Sequence, residues 1–190
     1  MLREVIGIPA MLEQYGEELA ELIQASYKLI RKKKGENLTP KTAVECMNNF
    51  IEEISDIFVC SMELLEFDDY GEFKKEFSRD FSIVITDADE YDSIEYNMVM
   101  SIISASTDLL NTMNTYAYMI RELKVNIKSI KNDPVKYRVL YDRIKSLTFL
   151  LYEIIDIYHI SNDVIDSIIY KQSRMEKRLD EYNSFGTCSE

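Results

Sequence analysis

Between about Ile8 and Lys34, Leu12, Tyr15, Leu19, Leu22, Ile23 and Ile30 return to one face at helical spacing, which predicts an amphipathic helix. The segment closes on Arg31, Lys32, Lys33, Lys34 and Gly35. Cations there offset the negative helix end, and glycine accepts a left-handed cap. Thr39 and Pro40 then read as the N-cap and first-turn proline of a second helix. Its core stripe is Ala43, Met47, Phe50, Ile54, Ile57, Phe58, Ser61, Leu64 and Leu65.

From about Glu66 to Tyr91 the pattern loosens into Asp, Glu, Phe and Lys, with a β-branched patch Ile83, Val84, Ile85 and Thr86 before an acidic run Asp87 to Asp92. This predicts a connector with one short helix around Tyr70 to Phe77. Asp92 with Glu95 matches a capping box for a third long helix to about Ile127. Asp133 and Pro134 open a fourth to about Ile160, and Ser161 caps a fifth to about Tyr182, leaving 183–190 as a frayed tail. The expected fold is all-α: a four-helix-bundle-like core of two tandem antiparallel helix pairs plus a C-terminal helix. It forms a single domain over 1–190, with pairs at 8–66 and 92–182 and a connector at 67–91. Sliding the chain so that Asp108-Leu109-Leu110-Asn111 meets Glu18-Leu19-Ala20-Glu21 also sets Met119-Ile120-Arg121 on Leu29-Ile30-Arg31. That match fits an internal duplication, or simply two amphipathic helices; the acidic positions of the second helix are not kept.

Composition narrows the function. Only 5 Gly and 3 Pro leave little turn chemistry for an all-β fold or a glycine-rich phosphate loop. A formal net charge of −12 argues against a broad cationic face for duplex nucleic acid or anionic lipid. Cys46, Cys60 and Cys188 form no CxxC pair and leave an odd count, which disfavours a disulfide framework and a cysteine zinc site. No apolar run approaches the ~20 residues that cross a bilayer. Glu4, Glu13, Gln14 and Tyr15 interrupt any signal-peptide core. A reduced, cytoplasmic setting without membrane contact is the expectation.

The chemistry lies in the acids. The first helix carries Glu17-Glu18-Leu19-Ala20-Glu21 and the second Glu52-Glu53-Ile54-Ser55-Asp56. Residues three apart share a helix face, so Glu18 pairs with Glu21 and Glu53 with Asp56, each pair flanking its apolar stripe. If the helices pack antiparallel through those stripes, four carboxylates converge on one groove. Convergence without a cation is unfavourable, because like charges raise one another's pKa and repel when desolvated. An all-oxygen set suits Mg²⁺ or Mn²⁺, and Mg²⁺ keeps waters and binds substrate phosphates. Lys28, two turns beyond Glu21, and Lys32, one turn later, are candidates for neutralising phosphates, or else solvated C-terminal cations. Asn49, four residues before Glu53, is placed to bond a ligand or orient that carboxylate. An acidic helical chain also produces such spacings by chance, as in Glu63 with Glu66, Glu66 with Asp69, and Glu153 with Asp156. Doubled acids, apolar or small residues inside each motif, and placement on consecutive helices distinguish the first set.

These residues resemble the MazG-like branch of the all-α nucleoside triphosphate pyrophosphatases, the superfamily that also holds dimeric dUTPases and dCTP pyrophosphatases. The family pattern, EExxE followed by ExxD, stands here as Glu17-Glu18-Leu-Ala-Glu21 and Glu53-Ile-Ser-Asp56, within GEELAELIQASYK and FIEEISDIF. The likeness covers about residues 8 to 66. It implies Mg²⁺-dependent hydrolysis of a (deoxy)nucleoside triphosphate to the monophosphate and pyrophosphate. Glu18, Glu21, Glu53 and Asp56 become metal ligands, with Glu17 or Glu52 as outer or water-activating groups and Glu53 among the catalytic residues. A later family helix often carries Lys and, four residues on, Asn. Here Lys171 is followed by Met175, with Arg174 or Arg178 as substitutes for holding phosphates. The resemblance also implies a homo-oligomer, dimer or tetramer.

Two other classes compete. A non-catalytic helical interaction or regulatory protein with a degenerate nucleotide site predicts no response to Mg²⁺. A di-iron bundle needs carboxylate-xx-His on two helices, whereas the chain has 1 His, His159, read as a core-edge residue. The 13 Tyr, at helical spacing, read as packing groups before base-stacking ones.

Overall fold

The computed structural model describes residues 7–36, 40–77, 88–124 and 134–186. Among them run α1 (Ile8–Lys33), α2 (Ala43–Leu65), α3 (Tyr70–Phe77), α4 (Ala88–Arg121), α5 (Pro134–Tyr158) and α6 (Ser161–Gly186), with no strand. The protein is all-α, and none of the described helices is long and apolar enough to cross a membrane.

α1 buries Leu12, Tyr15, Leu19 and Leu22 as the spacing predicts, while Ile23 and Ile30 are only half-buried. After Lys33, Gly35 takes a positive φ of 70°, and the Glu36 amide bonds back to the Arg31 carbonyl. The start of α2 differs from the expectation. Pro40 sits in a bend ahead of the helix, and the cap is Thr42. Its hydroxyl accepts from the Glu45 amide at 3.1 Å while the Glu45 carboxylate accepts from the Thr42 amide at 2.6 Å. This reciprocal pair satisfies two amides that a proline start would leave to solvent. Thr39 itself lies outside the described residues.

α3 is the short connector helix, docked through Phe73 and Phe77. α4 begins at Ala88, so Asp92 lies inside the helix and is not its cap. Glu95 is instead buried, accepting from the Tyr158 hydroxyl at 2.6 Å and pairing with Lys33 at 2.7 Å. α4 also stops short of Ile127: it ends at Arg121, and Lys124 takes a left-handed φ of 53°. α5 starts at Pro134 as expected. His159, at a left-handed φ of 55°, makes the corner before α6 and is exposed, not a core-edge residue. The patch Ile83 to Thr86, the acid Asp87, Asp133, Cys188 and the end of the tail lie outside the described residues.

α1 packs chiefly on α4 and α2, α4 on α5, and α2 on α6. Contacts at opposite ends fix the directions. The Tyr15 hydroxyl bonds Ser61 near one end of the α1–α2 pair, and Lys32 lies by Glu45 near the other, so the pair is antiparallel. Glu13 with Arg121 and Lys33 with Glu95 make α1 and α4 antiparallel. Tyr116 with Lys136 and Glu95 with Tyr158 do the same for α4 and α5. The two predicted antiparallel pairs therefore form one bundle, in which α2 faces α5 through Phe58 and Tyr152, stacked 5.0 Å apart. Gly16 lets α1 approach α4 closely: a methyl there would meet Leu110 at 3.3 Å and Asn114 at 3.4 Å. α6 lies along α2 and runs in the same direction, burying Val164 and Ile168.

Candidate functional site

The orientation of the acids follows from their apolar neighbours. Leu19 on α1 and Ile54 and Ile57 on α2 are fully buried, which turns Glu18, Glu53 and Asp56 toward the seam beside the core. Ser55 is also fully buried, its hydroxyl donating to the Ile51 carbonyl at 2.8 Å, and its small side chain admits α6 alongside. Carboxylate oxygens of Glu18, Glu53 and Asp56 lie within 4.8 Å of one another. Glu53 is only 8% exposed, an unusual position for a carboxylate. The Asn49 amide donates to it at 3.1 Å, as the four-residue spacing predicts.

Burial and mutual repulsion both act on this cluster. Burial, followed by the charges of Asp56 and Glu21, pushes the Glu18 carboxyl up to about 7. Burial, then Glu21, Asp56 and Glu18, pushes Glu53 up to about 7 as well. Asp56 is also raised by burial, against the opposing pull of Lys171. The Lys171 ammonium stands 2.5 Å from Asp56 and 3.8 Å from Glu52. One ammonium thus faces several acids whose charge it does not cancel.

Beside the cluster opens a cleft of about 330 Å³. Glu18 of α1 and Asp56 of α2 line it together with three cations of α6, Lys171, Arg174 and Arg178. Met175, at the position where the resemblance expects Asn, also lines the cleft. The remaining predicted residues fall elsewhere. Glu17, Glu21 and Glu52 are exposed at the rim of the helices, Glu21 close enough for its charge to raise Glu18 and Glu53. Lys28 bonds Gln24 at 3.2 Å, and Lys32 is half-buried near Glu45; neither lines this cleft. Gln14 and Cys60 do line it, and sequence reasoning missed both. Each lies four residues from an assigned acid, Gln14 before Glu18 and Cys60 after Asp56, so helical spacing carried the signal. A larger groove of about 450 Å³ between α3 and α5 is lined by Glu76, Phe77, Lys145 and neighbours and lies apart from the acids.

The donor set fits a hard divalent cation. The converging atoms are all carboxylate oxygens, they are close enough to share an ion, and their charge is under-compensated by protein groups. His159, in the α5–α6 corner, is not among them. No family model, curated protein or solved structure matches the chain.

Proposed function

We propose that the protein hydrolyses a (deoxy)nucleoside triphosphate to the nucleoside monophosphate and pyrophosphate in a Mg²⁺-dependent reaction, with Mn²⁺ as a substitute. The observation that carries this reading is the convergence of Glu18, Glu53 and Asp56 from two helices beside a cleft that Lys171, Arg174 and Arg178 also line. The EExxE and ExxD motifs imply four such acids; the fourth, Glu21, is exposed beside these three. Glu18, Glu21, Glu53 and Asp56 hold the ion, and Asn49 keeps the Glu53 carboxylate oriented through its 3.1 Å bond. A bound divalent cation supplies Lewis-acid stabilisation of charge on the phosphate oxygens and lowers the pKa of water.

The chain's own residues do the rest. Lys171, Arg174 and Arg178, which line the cleft, neutralise the phosphate chain and orient it for in-line attack. Water attacks the phosphorus that carries the nucleoside, the bond to the pyrophosphate oxygen breaks, and a flanking carboxylate takes the water's proton. Glu52, exposed beside Lys171, is assigned that proton; Glu17 is the corresponding exposed acid on α1. The same proposal includes a homo-oligomer, for which Ile169 and Tyr170, 59% and 62% exposed on α6, offer apolar surface.

A panel of nucleoside triphosphates with Mg²⁺, assayed for pyrophosphate, tests the reading against Glu53→Gln and Asp56→Asn. Turnover in the wild type and a loss of at least roughly 100-fold in both variants is expected, in line with removing groups that stabilise transition-state charge. Equal turnover in all three proteins refutes the assigned roles.

A further inference from the structure

Lys171 does more than border the cleft. Its ammonium sits on Asp56, one of the three converging acids, with only 15% of its side chain exposed. The first half of α6 is docked by packing as well, since Val164 and Ile168 are fully buried against the bundle and Ser55 lies beside the Val164 carbonyl. Taking an ammonium and a carboxylate out of water carries a desolvation cost that packing of the same helix avoids. Lys171 therefore occupies a place where a cation is called for. Its flexible four-carbon stem allows the charge to move while α6 stays docked. Lys171, Arg174 and Arg178, spaced three and four residues apart, share one helix face, and all three line the cleft.

We propose that Lys171 is an exchangeable counter-ion, which holds Asp56 when no divalent cation is bound and transfers to a phosphate oxygen when cation and phosphate chain arrive together. The inference rests on the site proposed above. Its consequence is a positive coupling. A cation alone must settle beside a displaced ammonium, which repels it. A phosphate chain gives that ammonium a new partner on the Arg174 and Arg178 side, so each ligand tightens the other by the same factor. The preferred ligand is accordingly a metal–polyphosphate complex, not the bare ion.

The test is Mn²⁺ binding at pH 7.5, followed by electron paramagnetic resonance, for the wild type, Lys171→Met and Lys171→Gln. It is run with and without methylenediphosphonate, a diphosphate that is not hydrolysed, correcting for its own chelation of Mn²⁺. Bare Mn²⁺ is expected to bind both variants more tightly than the wild type. The diphosphonate is expected to tighten Mn²⁺ binding to the wild type by roughly fivefold or more, and to the variants by much less. Equal or weaker Mn²⁺ affinity in the variants overturns the exchange. Should the variants not fold, reductive methylation of the wild type, read by mass spectrometry, replaces them. Labelling of Lys171 should be low in chelator and rise with Mn²⁺; unchanged labelling overturns the exchange. Absence of Mn²⁺ binding in every protein sinks the metal site and the exchange together. Mn²⁺ binding without pyrophosphate release from any triphosphate sinks only the hydrolytic reading.

Discussion

Glu53, the most buried of the converging acids, shares the electrostatic cost of the site with Glu18. Its carboxyl and that of Glu18 are both pushed up to about 7, so the folded chain holds these protons more tightly than the unfolded chain does. Between the ordinary carboxylate range and about 7, the unfolded chain has released protons that the folded one retains. The contribution of these two groups to stability is therefore present at low pH, falls as pH rises through that window, and is absent above it. Metal-free Glu53→Gln should melt higher than the metal-free wild type at pH 8, with the gap closing by pH 5; differential scanning fluorimetry in chelator measures both. Mg²⁺ should raise the wild-type melting temperature at pH 8 far more than at pH 5, because protons compete for the same oxygens. In Glu53→Gln that Mg²⁺ response should be largely lost. An unchanged Mg²⁺ response in the variant removes Glu53 from the ligand set.

At the scale of the elements, two substitutions separate caps from core. Thr42→Ala removes the hydroxyl that caps the Glu45 amide, leaves the residue-42 amide bonded to the Glu45 carboxylate, and should cost about 1 kcal/mol in urea unfolding. Phe58→Ala, at a fully buried ring stacked 5.0 Å from Tyr152, should cost about 3–5 kcal/mol. A loss under about 1 kcal/mol at Phe58 argues that α2 does not face α5 through this ring. The helices were legible in the sequence because apolar spacing reports burial directly: Leu12, Tyr15, Leu19 and Leu22 are all in the core. Their ends were less so. Both Thr39-Pro40 and Thr42-x-x-Glu45 spell a helix start, and only the bond geometry chooses the second. Asp92 with Glu95 spells a start too, yet Glu95 is committed to Tyr158 and Lys33, partners far away in sequence.

Across the whole molecule, the same distinction governs the site. The Glu18, Glu53 and Asp56 cluster was readable because each motif is local and the two helices are consecutive. The cationic lining was readable only in part, since Lys171 meets Asp56 across a separation of 115 residues. α6 is also unevenly anchored: Val164 and Ile168 are fully buried, but no described side chain after Ile168 is. Hydrogen exchange followed by mass spectrometry should show amides beyond Arg174 exchanging sooner than those of 161–171, and slowing when metal and diphosphonate are added together. Uniform protection along the helix counts against a lining held chiefly by its ligands. The 115-residue span between acid and ammonium matters during synthesis as well. At ordinary ribosomal speeds, on the order of ten seconds separates the translation of Asp56 from that of Lys171. Throughout that interval the growing polypeptide carries Asp56 without the lysine that stands on it in the folded chain.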